Sequence, residues 1–361
     1  MKIGITFNGS DKLFSNGINY NVFLWYDFLR LCGFTPYLIN GSDKNDEKAV
    51  ETIIENFNRS YRCVKYNSMK HSEFIKLDIF KELKLVFCIG LSDTVLFDLL
   101  RKTERKIIYI MLGNTYKIDV QNILDDKQEA YGCLYTYDEV WISKHFEYSK
   151  DYLEVRYKSK VYVCPYLWEP WLLDTFEIKD KIKKIDNISV GIVEPNINYG
   201  KTCLMPISLC EVNEKDIDDV YVFGSRHLKE KKMLVDFTKK LELFKKKKIS
   251  FENRIKMTSI LTDLCNVIVS TTEDWDLNYV FLECFYYGVP LVHNSEYLKD
   301  YGYYYPNLEI KKSEGIFRKI KNEFNREKYI EDHKEVLFKY SVNNPVNQAW
   351  VKHQISKFIK E

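Results

Sequence analysis

The residues best suited to chemistry concentrate in NVIVSTTEDWDLNYVFLECFYYGVPLVHNSEYLKDYGYYYP, residues 266–306. An apolar run reads as a buried strand ending at Ser270. A polar loop carrying Glu273, Asp274 and Asp276 follows. A helix is expected to open near Asn278 and to stop at Gly288, and Pro290 opens another apolar strand. Glu283 falls in the second turn of that helix among Tyr, Phe, Val, Leu and Cys, where a charge needs a partner. Ligands of open α/β sheets sit beyond the carboxyl ends of the strands. A helix starting there points free backbone N–H groups at an anion such as a diphosphate, and a carboxylate about one turn further in can accept hydrogen bonds from both hydroxyls of a ribose. The start of this helix is therefore expected to hold an anion such as a diphosphate, with Asn278 and Tyr279 beside it. Asn278 permits close approach, though less than glycine would.

Two cations follow strands elsewhere. Lys201 lies in VGIVEPNINYGKTCLMP and Arg254 in SFENRIK. Either beside a phosphate would stabilise charge on a departing nucleotide. Near the N-terminus, Gly17 belongs to the polar turn NGSDKLFSNG after the first strand and is expected at the ligand side of its sheet. Asp93 after the CIGLS strand reads either as a catalytic base or as a helix cap. Each has a plainer alternative: Glu283 as an exposed helix carboxylate, Lys201 as a surface lysine, Arg254 as an ion-pair partner. His293 and Asn294 are read as structural hydrogen-bonding residues, His145 is open between the two roles, and Tyr303, Tyr304 and Tyr305 are read as packing.

The elements that must position these residues alternate. Strands are expected at KIGITF, TPYLIN, LKLVFCIG, KIIYIML, EVWIS and KVYVCPY, with helices at 19–33, 47–57 and 93–103 between them. After a charged link at 166–187, strands recur at NISVGIVEP, DVYVFGS, ISFEN, NVIVST and PLVHNS, separated by helices at 202–214, 233–247, 256–265 and 278–288. Near-continuous apolar strands alternating with helices imply parallel sheets covered on both faces. The fold class is α/β with two Rossmann-like domains facing each other across a cleft. The expected boundaries are an acceptor-side domain at 1–168, a nucleotide-sugar-binding domain at 169–340, and a terminal helix at 341–361 packing back on the first.

The segment LECFYYGVPLV resembles the nucleotide-sugar motif of the retaining GT-B glycosyltransferases, of the glycogen synthase and sucrose synthase kind. In that pattern a glutamate is followed by seven residues, a second glutamate and then Gly-x-Pro. The resemblance gives Glu283 the ribose and makes Glu273, Asp274 and Asp276 candidates for the donor sugar, with Glu273, Asp274 and Asp93 the candidate catalytic group. It also implies an arginine and a lysine clamping the diphosphate. Lys201 matches the lysine, and Arg254 is the candidate second cation. Three positions depart from the pattern: Trp275 stands at the first glutamate, Glu194 near the arginine and Asn278 at a glycine. The histidine often found near Gly113 and Asn114 is also missing. Over nearly its whole length the chain resembles a divergent uncharacterised family of bacterial and phage proteins, through EPN with a following lysine, a Trp-rich loop before NY, and PLVHNS with GYYYP.

The resemblance implies transfer of a sugar from a nucleotide-diphosphate sugar, a uridine one, to an acceptor hydroxyl. Helix dipole and cations take the place of a metal, so no metal or other cofactor is expected. The DWD triplet at 274–276 sits late in the chain and before a helix, which argues against a metal clamp. The acceptor is either a surface glycan or a hydroxymethylated base in phage DNA. Residues 226–256 hold twelve Lys or Arg against four Asp or Glu in a chain of net charge +2. That run reads as a solvated face or as a patch tracking nucleic-acid phosphates. The non-enzymatic alternative is a degenerate GT-B protein that binds nucleotide or glycan without turnover. Nine cysteines without metal-ligand spacing, no membrane-length apolar run and no leader-like N-terminus fit a cytoplasmic protein, in host cytoplasm if viral.

Overall fold

The computed structural model describes residues 1–7, 17–40, 61–65, 76–89, 94–125, 136–174, 176–196 and 198–360. The helix expected at 47–57 and the candidate Asp93 lie outside the described residues. The chain divides into two compact units, one comprising Met1–Leu172 with Phe338–Glu361, the other Leu173–Leu337.

The first unit is built on β1 (Lys2–Phe7), β2 (Thr35–Asn40), β3 (Cys63–Lys65), β4 (Leu83–Cys88), β5 (Lys106–Met111), β6 (Glu139–Ser143) and β7 (Lys160–Cys164), in the order β3-β2-β1-β4-β5-β6-β7. Every described pairing in this sheet is parallel. The strands are apolar runs because both faces are covered; all of β4 but Lys84 is buried. Helices α1 (Gly17–Leu31), α2 (Thr94–Lys102), α3 (Thr115–Leu124) and α4 (Lys150–Tyr157) accompany them. Every residue of α1 from Asn19 to Leu29 is buried, as a helix apolar around its circumference must be. Its Trp25 packs against Phe87 and Trp141 at centroid distances of 5.7 and 6.0 Å. The terminal helix Pro345–Lys360 belongs to this unit. Trp350 meets Trp141 edge-on at 4.9 Å, and the Trp168 N–H donates to the Tyr340 carbonyl at 2.9 Å.

The second unit holds β8 (Ser189–Ile192), β9 (Asp219–Val222), β10 (Ile249–Phe251), β11 (Val267–Ser270), β12 (Leu291–His293) and β13 (Tyr303–Tyr304), in the order β10-β9-β8-β11-β12-β13 and again parallel. Helix α5 (Leu204–Val212) follows β8, and α6 (Tyr279–Tyr287) follows β11. Strand order reverses between β1 and β4 in one sheet and between β8 and β11 in the other, so each unit has one switch point at its first strand.

The structure differs from the sequence reading in places. The helix expected at 233–247 is two, Lys232–Thr238 and Glu242–Lys245, with Leu241 extended between them (φ −78°, ψ 143°). Leu241 and Leu243 are both buried, yet residues two apart on one helix lie on roughly opposite faces. Breaking the helix at Leu241 buries both. The Glu211 carboxylate then accepts the Glu242 and Leu243 N–H groups at 2.8 and 3.1 Å, capping the second piece. The helix expected at 256–265 is an α-turn at Met257–Ser259 running into a π-turn at Ile260–Leu264. Strands β3 and β13, not anticipated, are three and two residues long.

Candidate functional site

The loops leaving the carboxyl ends of β8 and β11 meet at the switch point of the second sheet. Register Ile192↔Val269 between these strands sets the two loops side by side. The Glu273 N–H donates to the Gly200 carbonyl at 3.0 Å, the Lys201 ammonium lies 5.7 Å from the Trp275 ring centroid, and the Ser270 hydroxyl donates to Glu194 Oε1. Gly200 is required by this contact. A Cβ there would fall 2.2 Å from Trp275 Cζ3 and 2.9 Å from the Glu273 carbonyl oxygen. Trp275, standing where the resemblance places a glutamate, is therefore a buried ring that locks the two loops together, 5% exposed.

The β11 loop is fixed from its other side by β12. Asn294 accepts the Thr272 N–H at 3.0 Å and donates to the Thr272 carbonyl at 2.9 Å, and the Ser295 hydroxyl donates to the Asp276 carbonyl at 2.5 Å. His293 accepts from the Ser295 N–H through Nδ1 at 3.2 Å and donates through Nε2 to the Tyr301 carbonyl at 2.8 Å. Burial holds its pKa down at about 4, so the ring is neutral and structural. Tyr305 is buried, and its hydroxyl bonds that of Thr271.

Helix α6 opens from this loop. Asn278 is its N-cap in extended conformation, and its side chain makes no capping bond. Tyr279, the first helical residue, is buried. Gly288 closes the helix in the left-handed region (φ 64°). Glu283 lies five positions past the cap. It keeps part of its surface open, yet protein surrounds it closely enough that burial alone pushes its pKa up to about 7. No hydrogen bond or ion pair joins Glu283 to a described residue.

Two further titratable groups sit at the switch point. Glu194, two residues past the end of the buried β8 run, is 1% exposed. Its Oε1 takes the Ser270 hydroxyl, and its Oε2 is buried without a partner. Burial pushes this carboxyl up to about 7, against the opposing pull of Ser270, Lys201 and the Thr271 N–H. Lys201 is half-buried. Burial lowers its pKa, and Glu194 draws it back up.

The remaining sequence candidates are not part of the Glu194–Ser270 clasp. Glu273 and Asp274 are exposed on the β11 loop, Asp274 at φ 59°. Arg254 is exposed three residues beyond β10, the edge strand, and no described contact ties it to Lys201 or Glu194. Gly17 is exposed at the first position of α1, its carbonyl accepting the Asn21 side-chain amide at 2.9 Å. Among the described residues no three His, Cys, Asp or Glu side chains form a metal-ligand cluster. The clasp of Glu194 by Ser270 was not anticipated. Its one sequence signal is an acid directly following VGIV, an apolar run that ends at a sheet edge of known use.

Two parallel Rossmann-like sheets, each with one switch point at its first strand, give the fold of the two-domain GT-B glycosyltransferases. The chain belongs to the family described as protein of unknown function (DUF2827), matched over residues 3–354. Among solved structures, a glycosyltransferase from Rickettsia africae is similar at a TM-score of 0.59 and 13% identity, covering 100% of this chain and 99% of that one. Anabaena HepE in complex with UDP and glucose gives a TM-score of 0.60 at 12% identity, with 99% of both chains covered. An alpha-glucosyltransferase in complex with UDP and a 13-mer DNA containing an HMU base gives 0.63 at 10% identity over 100% of both chains. No curated protein matches the chain.

Proposed function

We propose that this chain is a glycosyltransferase that takes a sugar from a uridine-diphosphate sugar and passes it to an acceptor hydroxyl. The observation that carries the reading is Glu283, a half-buried carboxylate with no partner among the described residues, on the helix that begins at the switch point. A buried charge without a protein partner is costly, and a ribose diol would satisfy it. The uncapped start of α6 and the Lys201 ammonium would take the diphosphate, stabilising charge on the departing nucleotide. In this reading they carry the charge a metal would otherwise balance. Glu273 and Asp274, exposed on the same loop, are the candidates for the donor sugar, and Arg254 is a reserve cation. UDP in the structures of two neighbours supports the choice of donor.

The acceptor we propose is modified DNA. Arg226, Lys229, Lys231, Lys239, Lys240 and Lys247, in the segment that joins β9 to β10, are exposed and make no ion pair among the described residues. Unpaired cations of this kind suit a polyanion whose binding weakens with salt. The test is release of UDP from a panel of UDP-sugars, with and without DNA carrying hydroxymethylated pyrimidines. Turnover that Glu283→Ala abolishes supports the enzyme. Nucleotide binding without release of UDP under any acceptor marks a degenerate binding protein instead.

A further inference from the structure

Glu194 presents a contradiction that the nucleotide-sugar reading must resolve. An anion is expected at the switch point, yet the side chain buried there is an acid. The groups that act on Glu194 electrostatically are Lys201 from its own loop, Cys203 at the start of α5 and Tyr305 beyond β13. The Ser270 hydroxyl bonds its Oε1 from the end of β11, and the Thr271 N–H just beyond that strand also favours its charged form. Lys201 is the one cation in that set. With Glu194 ionised, the pair sums to zero charge and offers a diphosphate no net attraction. With Glu194 neutral, it sums to one positive charge. Like charges at contact inside a protein repel by several kcal/mol at an effective dielectric near 20.

We propose that Glu194 is a proton-carrying ligand of the donor diphosphate: in the bound state it is the neutral acid, and its free Oε2 donates a hydrogen bond to a phosphate oxygen. This deepens the nucleotide-sugar reading and rests on it. The geometry supplies what the role needs. Oε1 is already engaged by the Ser270 hydroxyl, and Oε2 is buried with no protein partner. In the empty site burial already lifts the carboxyl to about 7, and an adjacent anion lifts it further. The proton comes from solvent as the donor arrives and returns when the nucleotide leaves. Glu194 thereby acts as a hydrogen-bond donor where related enzymes, by the resemblance above, use an arginine.

The experiment is calorimetric titration with UDP-glucose, whose phosphodiester-type charges are fixed across neutral pH. It is run in buffers of different ionisation enthalpy between about pH 6 and pH 9. The expected result is uptake of up to one proton per donor bound, with Kd weakening by up to about tenfold per pH unit on the alkaline side. Glu194→Gln, which keeps an acceptor for Ser270 and gains a permanent donor, should lose that uptake and the alkaline weakening that goes with it. Binding by the wild-type chain without proton uptake overturns the proposal and leaves the nucleotide site standing. Uptake that persists unchanged in E194Q belongs to another group of the site, Lys201 or Glu283, and overturns it equally. No UDP-glucose binding at any pH overturns the nucleotide-sugar reading itself. The wild-type measurement decides even if the variant does not fold.

Discussion

Gly200→Ala isolates the contact that joins the two site loops. An ideal Cβ at this position would lie 2.2 and 2.6 Å from Trp275 Cζ3 and Cε3, and 2.9 Å from the Glu273 carbonyl oxygen. Carbon pairs sit comfortably at about 3.5–4.0 Å, so the ring must retreat by more than about an ångström. It has little room. Trp275 is buried, its carbonyl is held by the Thr272 hydroxyl at 3.1 Å, and Glu273 is tied to Gly200 itself at 3.0 Å. Overpacking of this kind costs about 1–3 kcal/mol, and the double clamp places it near the upper figure. For a unit of this size about 3 kcal/mol lowers Tm by roughly 6–12 °C. Differential scanning calorimetry reads the shift. A cycle with Trp275→Leu separates the clash from any backbone effect, because leucine lacks the two ring carbons. In that background only the Glu273 carbonyl contact at 2.9 Å remains, so Gly200→Ala should cost less, leaving a coupling of about 1 kcal/mol or more. A G200A melting point within about 1 °C of wild type, or the same cost in both backgrounds, refutes the reasoning. Because Lys201 follows directly, G200A should also weaken UDP-glucose binding.

Other outcomes follow from groups near the same helix. The Glu283 carboxyl stands near 7 in the folded chain against an ordinary value of 4.5. The folded state therefore holds the proton more tightly, and that stabilisation is complete below about pH 4.5 and drains away as pH rises through about 7. Ligand-free Glu283→Gln should melt close to wild type in acid and above it by about pH 8, so a constant gap between the two across that range contradicts the placement. The same variant should weaken UDP-glucose binding by about tenfold or more, the value of a hydrogen bond to a charged group. Gly288→Ala meets both a left-handed backbone (φ 64°) and Arg326 Cγ at 2.7 Å. It should lose more than about 1 kcal/mol in urea unfolding, whereas Asn, which tolerates that backbone better, should still meet the contact and gain little.

How much of this was legible depends on the range of the interaction. Strands such as EVWIS and the VIVS of β11 could be read directly, because burial on both faces leaves a nearly continuous apolar run. Gly288 could be read as a helix stop because a left-handed cap is a local demand on one residue. Glu283 stood out for the same kind of reason, an acid inside an apolar helix. The Glu194–Ser270 clasp spans 76 residues. It exists only because β8 and β11 pair in one register, which no local pattern encodes. Trp275 seemed a departure from a motif until Gly200 supplied the surface it packs on. Strand β13 is two residues long, too short for any periodicity. The break at Leu241 turns on which leucines must be buried, a tertiary fact.

The first unit is discontinuous in sequence: its sheet comes from Met1–Leu172 and its last helix from Phe338–Glu361. A ribosome releases the second unit's entire sequence before the residues that cover Trp141 exist. Order of synthesis and order of completion are therefore inverted, and the half made first must wait, with an indole uncovered, for the final segment. Stop codons or proteolytic nicks near the carboxyl terminus would thus injure the unit whose sheet is made first, and leave the loops of β8 and β11 with every contact described for them.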